Sequence, residues 1–350
     1  MIIQELRLRD FRNYDFLKLS LHPELTILVG TNGAGKTNIL EALLFISNTK
    51  SFRCSKDQEM IKKDKEFARV EAVTDNGNYK ITIQKKGKTL FIDDKLIERS
   101  SDYLGRCNCL LFKPDDLILF DAPPGERRMI MDLEIGKISP FYLKTLLSFN
   151  KLIKEKNSLL KQEHIDLDLL EVIEQGMIPL IESIIKEREK FSAYINDKLA
   201  PMYQRLSGTD TVITMQYKKC AEADKEEIAN AIQKSRDRDL FLTYTSFGPH
   251  KEDLQFQIDG YDVYSFASQG QKRMIVIAFK LALYEYIREM RGDPPIILLD
   301  DILSELDSQN KERLFACLPD AQTLITGTDI EGFRLNREHR IYTVKEGVIL

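Results

Sequence analysis

Tryptophan is absent from this 350-residue sequence, and histidine and cysteine are scarce, at four and five residues. The cysteines, Cys54, Cys107, Cys109, Cys220 and Cys317, are odd in number and scattered. That pattern excludes a disulfide scaffold and leads us to expect reduced thiols in a cytoplasmic protein. Cys107 and Cys109 have no Cys or His pair at zinc spacing beside them, so they read as buried thiols of a strand. No apolar run approaches the ~18 residues of a membrane helix. The N-terminal Met1-Ile2-Ile3-Gln4-Glu5-Leu6 enters strand-like alternation, with no signal or transit pattern. An excess of positive charge is also missing. The formal net charge is -4, so any polyanion must be held by a local patch. What is present, 43% hydrophobic and 30% charged residues over this length, suits a globular chain of two or so domains.

One stretch organises the rest: Gly30-Thr31-Asn32-Gly33-Ala34-Gly35-Lys36-Thr37. It follows the apolar run Leu25–Val29, a buried strand, and precedes Asn38–Phe45, whose apolar residues have helical spacing. Strand, glycine-rich turn and helix is the setting a phosphate-binding P-loop requires. The glycines let successive N–H groups point at one anion, and the helix start adds its positive dipole end. Lys36 is expected on the β- and γ-phosphates of ATP, and the Thr37 hydroxyl on Mg²⁺.

Upstream, Ile2–Tyr14 alternates and Phe16–Leu21 makes a second strand, so the P-loop strand is the third. That entry fits ABC-type ATPases, in which residues before the P-loop, here Arg12 and Asn13, flank the nucleotide. Downstream, Ala68–Val73 and Tyr79–Gln84 flank Asp75-Asn76-Gly77-Asn78, a hairpin signal. From Arg127 to about Arg205 the pattern is helical, punctuated at Gly176 and Pro179, without the heptads of a long coiled coil. Thr211–Tyr217 returns to strand, Ala221–Arg238 is a charged helix, and Phe241–Phe247 is strand-like. Leu254–Ile258 and Val263–Phe266 read as a hairpin around Asp259-Gly260. The expected fold is therefore α/β, an ABC-type (SMC-like) ATPase head with mixed sheets and a helical insertion. The expected boundaries are 1–120 for the P-loop half, 121–205 for the insertion and 206–350 for the second half.

Ile296–Asp301 is an apolar strand ending in two carboxylates, a Walker B element. Asp300 is expected to share the Mg²⁺ with Thr37, and Asp301 to polarise the attacking water. Aspartate is a methylene shorter than the glutamate usual there, which predicts slow hydrolysis. Ser268-Gln269-Gly270-Gln271 opens a helix shortly before that strand. Ser268, Gly270 and Gln271 form the expected signature, which in ABC dimers meets the nucleotide of the other subunit, with Asp307 on the crossing loop. Among the cations, Arg53 and Lys56 on the connection after the first helix are candidate DNA contacts. Arg127 and Arg128 are weaker candidates, because paired arginines opening a helix more often make internal ion pairs.

With DFRNYD, GTNGAGKTN, SFRCSKD, FKPDDL with PPGERRMIMD, GPHKEDL, SQGQKR and LLDDILSELD in this order, the chain resembles the RecF family, bacterial recombination mediators of the ABC/SMC class. The resemblance spans nearly the whole chain. It implies an ATP-dependent homodimer that binds gapped DNA at single-strand/duplex junctions. It also implies work with RecR and RecO in loading RecA, links to DNA replication and the SOS response, and no membrane partner. Two departures stand out: Lys251 and Glu252 occupy places where Arg and Asp are expected, and SFRCSKD lacks a His after its Ser. No Q-loop glutamine is assigned; Phe112–Asp116 is its expected neighbourhood. An alternative is an SMC-like head that drives a nuclease or acts as a structural DNA clamp. A nuclease needs clustered Asp, Glu and His, and none of His22, His164, His250 and His339 lies in such a motif.

Overall fold

The computed structural model describes residues 1–328 and 337–350. It divides into two compact units. One comprises Met1–Asp116, Arg205–Gly208 and Ile277–Leu350; the other comprises Leu117–Gln204 and Thr209–Val276.

In the first unit the chain opens with β1 (Ile3–Phe11), β2 (Tyr14–Ser20) and β3 (Leu25–Val29), then the P-loop helix Lys36–Asn48. Four more strands, β4 (Phe67–Thr74), β5 (Gly77–Gln84), β6 (Gly87–Ile92) and β7 (Lys95–Ile97), precede β8 (Cys109–Phe112). An antiparallel sheet of order β2-β1-β4-β5-β6-β7 results. Its alternation follows the pleat: Leu6 and Leu8 are buried while Arg7 and Arg9 face outward. The buried face packs in one core with Ile39, Leu40, Leu43 and Phe45 of the P-loop helix. Burying such a side chain contributes ~1.5–3 kcal/mol.

The second unit holds the helices Pro124–Ile138 and Pro140–Leu159 and most of the 41-residue helix Leu167–Ser207. It also holds β9 (Ile213–Lys218), β10 (Asp253–Ile258) and β11 (Tyr261–Asp262), which form a three-stranded antiparallel sheet. Three local expectations are corrected here. The long helix runs on through Gly176 and Pro179. A proline removes one helical hydrogen bond, but Ile181, Ile184, Ile185, Phe191, Ile195 and Leu199 are buried along this helix and outweigh it. Next, the helix expected over 221–238 starts at Lys225, where the Asp224 carboxylate accepts from the N–H groups of Glu226 and Glu227, and it continues to Leu242. That extension takes up the start of the strand expected over Phe241–Phe247. Last, Val263–Phe266 is one helical turn, because the Ala267 N–H closes on the Val263 carbonyl.

Back in the first unit, β12 (Ile296–Asp300), β13 (Thr323–Gly327), β14 (His339–Lys345) and β15 (Val348–Ile349) complete a sheet of order β15-β14-β3-β13-β12-β8. Its core strands β3, β13, β12 and β8 are parallel and buried from end to end, which is why they read as continuous apolar runs. Their register sets Asp300 beside Thr326, and Thr326 beside Leu28 at the end of the P-loop strand. The Walker B acid therefore lies one strand removed from the P-loop, at the carboxyl ends where α/β sheets bind ligands.

Candidate nucleotide site

Backbone geometry explains two of the P-loop glycines. A Cβ on Gly30 would stand 2.2 Å from the Val344 carbonyl oxygen. Gly35 has φ 115°, and a Cβ there would lie 2.7 Å from Asn13 Nδ2 and 2.8 Å from the Tyr14 hydroxyl. No other residue fits either place. Thr31, Asn32 and Gly33 are exposed, and Ala34 is buried with its carbonyl accepting from the Gly347 N–H at 3.0 Å.

The Lys36 ammonium donates to the carbonyls of Gly30 at 2.6 Å and Thr31 at 3.0 Å, folded back over its own loop. Burial pushes its pKa down, against the pull of Asp301 and Asp300. An ammonium held only by two carbonyls in a half-dry loop suits a polyphosphate, which supplies charge-assisted bonds in their place.

Thr37 Oγ1 donates to Asp300 Oδ1 at 3.0 Å, across 263 positions of sequence. Thr326 Oγ1 donates to the same oxygen at 2.8 Å and accepts from the Asp301 N–H at 3.0 Å. Asp300 is 8% exposed, and burial raises its pKa, with the two hydroxyls and Arg53 opposing and Asp301 adding to the rise. A buried carboxylate without a cation costs free energy, and a divalent ion beside Thr37 removes that cost. The residues present thus fit Mg²⁺. Asp301 takes a left-handed conformation, φ 51°, and its carbonyl accepts from Ser304 Oγ. Thr326 was invisible to pattern reading; its only signal is a hydroxyl closing an apolar strand.

Glu41 is a second residue that sequence reading missed. It is fully buried on the P-loop helix and accepts from Arg12 Nε at 2.8 Å, Arg12 Nη2 at 2.6 Å, Ser51 Oγ at 2.5 Å and Arg53 Nη1 at 3.5 Å. Its signal was a lone acid in the run Ile39–Ser47, which a folded chain must pair. Arg12, expected beside the nucleotide, is therefore engaged by Glu41 and the Glu59 carbonyl. Asn13 accepts from Asn38 Nδ2 at 2.7 Å beside the loop. Arg53 donates to Asn38 Oδ1 at 2.7 Å, so this candidate DNA contact lies against the P-loop helix; Lys56 is exposed.

In the second unit, Ser268 and Gln271 form a reciprocal capping box at the start of the helix Gln269–Arg291. The Ser268 N–H donates to Gln271 Oε1 at 2.8 Å, and Ser268 Oγ accepts from the Gln271 N–H at 3.2 Å. Gly270 is helical and exposed, and nothing lies within 4 Å of where its Cβ would stand. Asp307, in the first unit, caps its own helix by accepting from the Asn310 N–H at 2.8 Å.

The arginines opening the helix Pro124–Ile138 make internal pairs. Arg127 forks onto Asp253 at 2.8 and 2.7 Å, and Arg128 donates to the Glu252 carbonyl. GPHKEDL is thus an internal fastening of the second unit. Its Glu252 takes the guanidinium of Arg188, which is 1% exposed, at 2.5 Å. The His250 Nε2–H donates to the Thr245 carbonyl at 3.1 Å, and burial lowers its pKa to about 4, so it stays neutral at physiological pH. Among the described residues no group of three or more His, Cys, Asp or Glu could hold a metal ion in the way a nuclease needs. Likewise no described helix is long and apolar enough to cross a membrane.

Comparison with known proteins agrees with this geometry. Residues 2–345 match the family model described as RecF/RecN/SMC N terminal domain. The DNA replication and repair protein RecF of Lachnoclostridium phytofermentans is 38% identical, with 100% of this chain and 99% of that protein covered. RecF of Bacillus subtilis is 32% identical with full coverage of both. A solved structure of the recombination mediator protein RecF with ATP superposes with a TM-score of 0.92 at 28% identity, covering 99% of this chain and 96% of that one. The Smc head domain from Pyrococcus furiosus, at 17% identity and a TM-score of 0.56, shares the fold. The ATPase-head fold read from the motifs is therefore present, and the chain belongs to the RecF family of DNA replication and repair proteins.

Proposed function

We propose that this protein is an ATP-gated DNA-binding dimer of recombinational repair. ATP with Mg²⁺ sits on the P-loop, with Gly30–Gly35 around the phosphates, Lys36 on the β- and γ-phosphates, and Thr37 and Asp300 holding the cation. Arg12 and Asn13 flank the nucleotide, which for Arg12 requires release from Glu41. Ser268, Gly270 and Gln271 of one protomer cap the nucleotide of its partner, and Asp307 lies on the crossing loop. The closed pair binds gapped DNA at single-strand/duplex junctions, with Arg53 and Lys56 as phosphate contacts. In the cytoplasm it acts with RecR and RecO to help load RecA, in support of replication and the SOS response. Slow hydrolysis, with Asp301 positioning the water, reopens it.

The observation that carries the dimer is Gly270. Nothing in its own fold requires glycine, since its backbone is helical and a Cβ would meet open space. A side-chain-free surface beside an exposed helix N-terminus serves something that approaches from outside, and an anionic phosphate is what such a terminus attracts. Light scattering tests it. With ATP and Mg²⁺ the wild type and Asp301→Asn reach twice the 40.5 kDa chain mass, and Asp301→Asn holds it longest. Ser268→Arg places a bulky cation in the turn and stays monomeric. An Asp301→Asn protein that remains monomeric at saturating ATP contradicts the proposal.

A further inference from the structure

The solvent face of the six-stranded sheet carries a cluster that the nucleotide site does not use. Arg9 on β1 stands directly across from Phe16 on β2 and, on its other side, from Arg69 on β4. Both guanidinium groups lie over the Phe67 ring, Arg9 at 5.3 Å and Arg69 at 6.0 Å from its centroid. Phe16 is 68% exposed. Like charges directly opposite each other on a ladder repel, and a large exposed ring gains nothing from water.

Other cations on this face are neutralised. Arg7 and Lys18 share Glu5, Arg7 also reaches Glu71, and Lys80 pairs with Asp94. Among the described residues Arg9 reaches only Asp10, at 3.8 Å, and that carboxylate also holds Lys65 at 3.3 Å. Among the described residues Arg69 makes no ion pair, and its Nε is buried without a hydrogen-bond partner. A stacked cation contributes stability of its own, but a single arginine over Phe67 would supply that without the repulsion.

We infer that this face binds the unpaired strand of DNA, with Arg9 and Arg69 on phosphates, Phe67 backing the two guanidinium groups and Phe16 stacking on a base. The inference rests on the DNA-binding reading above and assigns the unpaired strand within it. Two cations short of carboxylates call for a polyanion. A large exposed ring, Phe16, beside them calls for one with exposed π-faces, which a duplex keeps stacked and an acidic peptide lacks.

The test is fluorescence anisotropy in ATP and Mg²⁺ with labelled oligothymidylate and a labelled blunt duplex, with polyglutamate as competitor. Phe16→Ala is expected to weaken the single strand about tenfold, with its salt slope and the duplex affinity unchanged. Phe16→Leu, which keeps the bulk of the side chain, does the same. Arg9→Gln with Arg69→Gln lowers the single-strand salt slope by about 0.7 per arginine. ATP-driven dimer mass, unchanged in all variants, confirms that they fold. The inference is overturned if both Phe16 variants bind the single strand as the wild type does, if they lose single strand and duplex equally, or if polyglutamate displaces the oligonucleotide at lower charge concentration. A wild type that binds duplex but no single strand overturns this site alone. A wild type that binds neither removes the DNA reading together with it.

Discussion

Lys36→Ala is expected to weaken ATP binding by ~2–3 kcal/mol, roughly 30- to 150-fold, the range for losing a charge-assisted contact to phosphate. The argument is one of exchange. In the free protein the ammonium is held by the carbonyls of Gly30 and Thr31, and burial already disfavours its charge. Phosphate oxygens give it stronger partners, and the freed carbonyls belong to Gly30, half-buried, and Thr31, exposed, so water can replace the ammonium. The variant should therefore fold normally and unfold at the wild-type midpoint without nucleotide. It should lose most of the stabilisation that ATP confers on the wild type. Titration calorimetry reads the affinity, and thermal unfolding with and without ATP reads the linkage. Unchanged affinity would remove the phosphate role of Lys36.

Arg188→Met carries the other large effect, and it falls on stability. Arg188 bonds Asp132 at 2.8 Å, Glu252 at 2.5 Å, the Pro249 carbonyl at 2.8 Å and the Tyr142 hydroxyl at 3.0 Å. Methionine fills most of the volume but leaves Glu252, 2% exposed, without its cation. Breaking a buried pair from one side costs ~3–5 kcal/mol. Adding Glu252→Gln should restore part of that, because the Cys220 N–H, which sits on Oε1, can still donate to the amide oxygen while the amide NH₂ in the place of Oε2 donates to the Tyr217 hydroxyl. With two compact units, unfolding need not be two-state, so hydrogen exchange at Phe191 and Ile195 is the better probe. Protection within about 1 kcal/mol of wild type would show that packing alone holds this helix.

The contrast between these two residues shows what pattern reading could find. Lys36, Thr37 and Asp300 stand at punctuation marks, a glycine turn and the acid end of an apolar strand, and there local sequence dictates both structure and chemistry. The parallel order of β3, β13 and β12 then brings them together. Arg188, Glu41 and Thr326 stand inside helices or strands, and what they touch is far away in the chain. Nothing local distinguishes a buried arginine from a solvated one. The same limit misplaced Val263–Phe266, where alternating aromatics mimic a strand but the backbone closes a helical turn. It also set a break at Pro179 that tertiary packing overrides. For Arg127 and Arg128, the expectation of internal pairing holds because Asp253 and the Glu252 carbonyl lie opposite them.

Coupling between ATP and DNA is the centre of the account. The most direct measurement is the affinity for a gapped duplex, with and without ATP and Mg²⁺, for the wild type and Ser268→Arg. If two protomers close as proposed, the DNA surface offered to one molecule doubles, so ATP should tighten wild-type binding through effective concentration. The variant, with its P-loop intact, should bind ATP yet gain nothing on DNA. If wild type and variant bind the gapped duplex equally well whether or not ATP is present, DNA binding belongs to the monomer and ATP does not gate it.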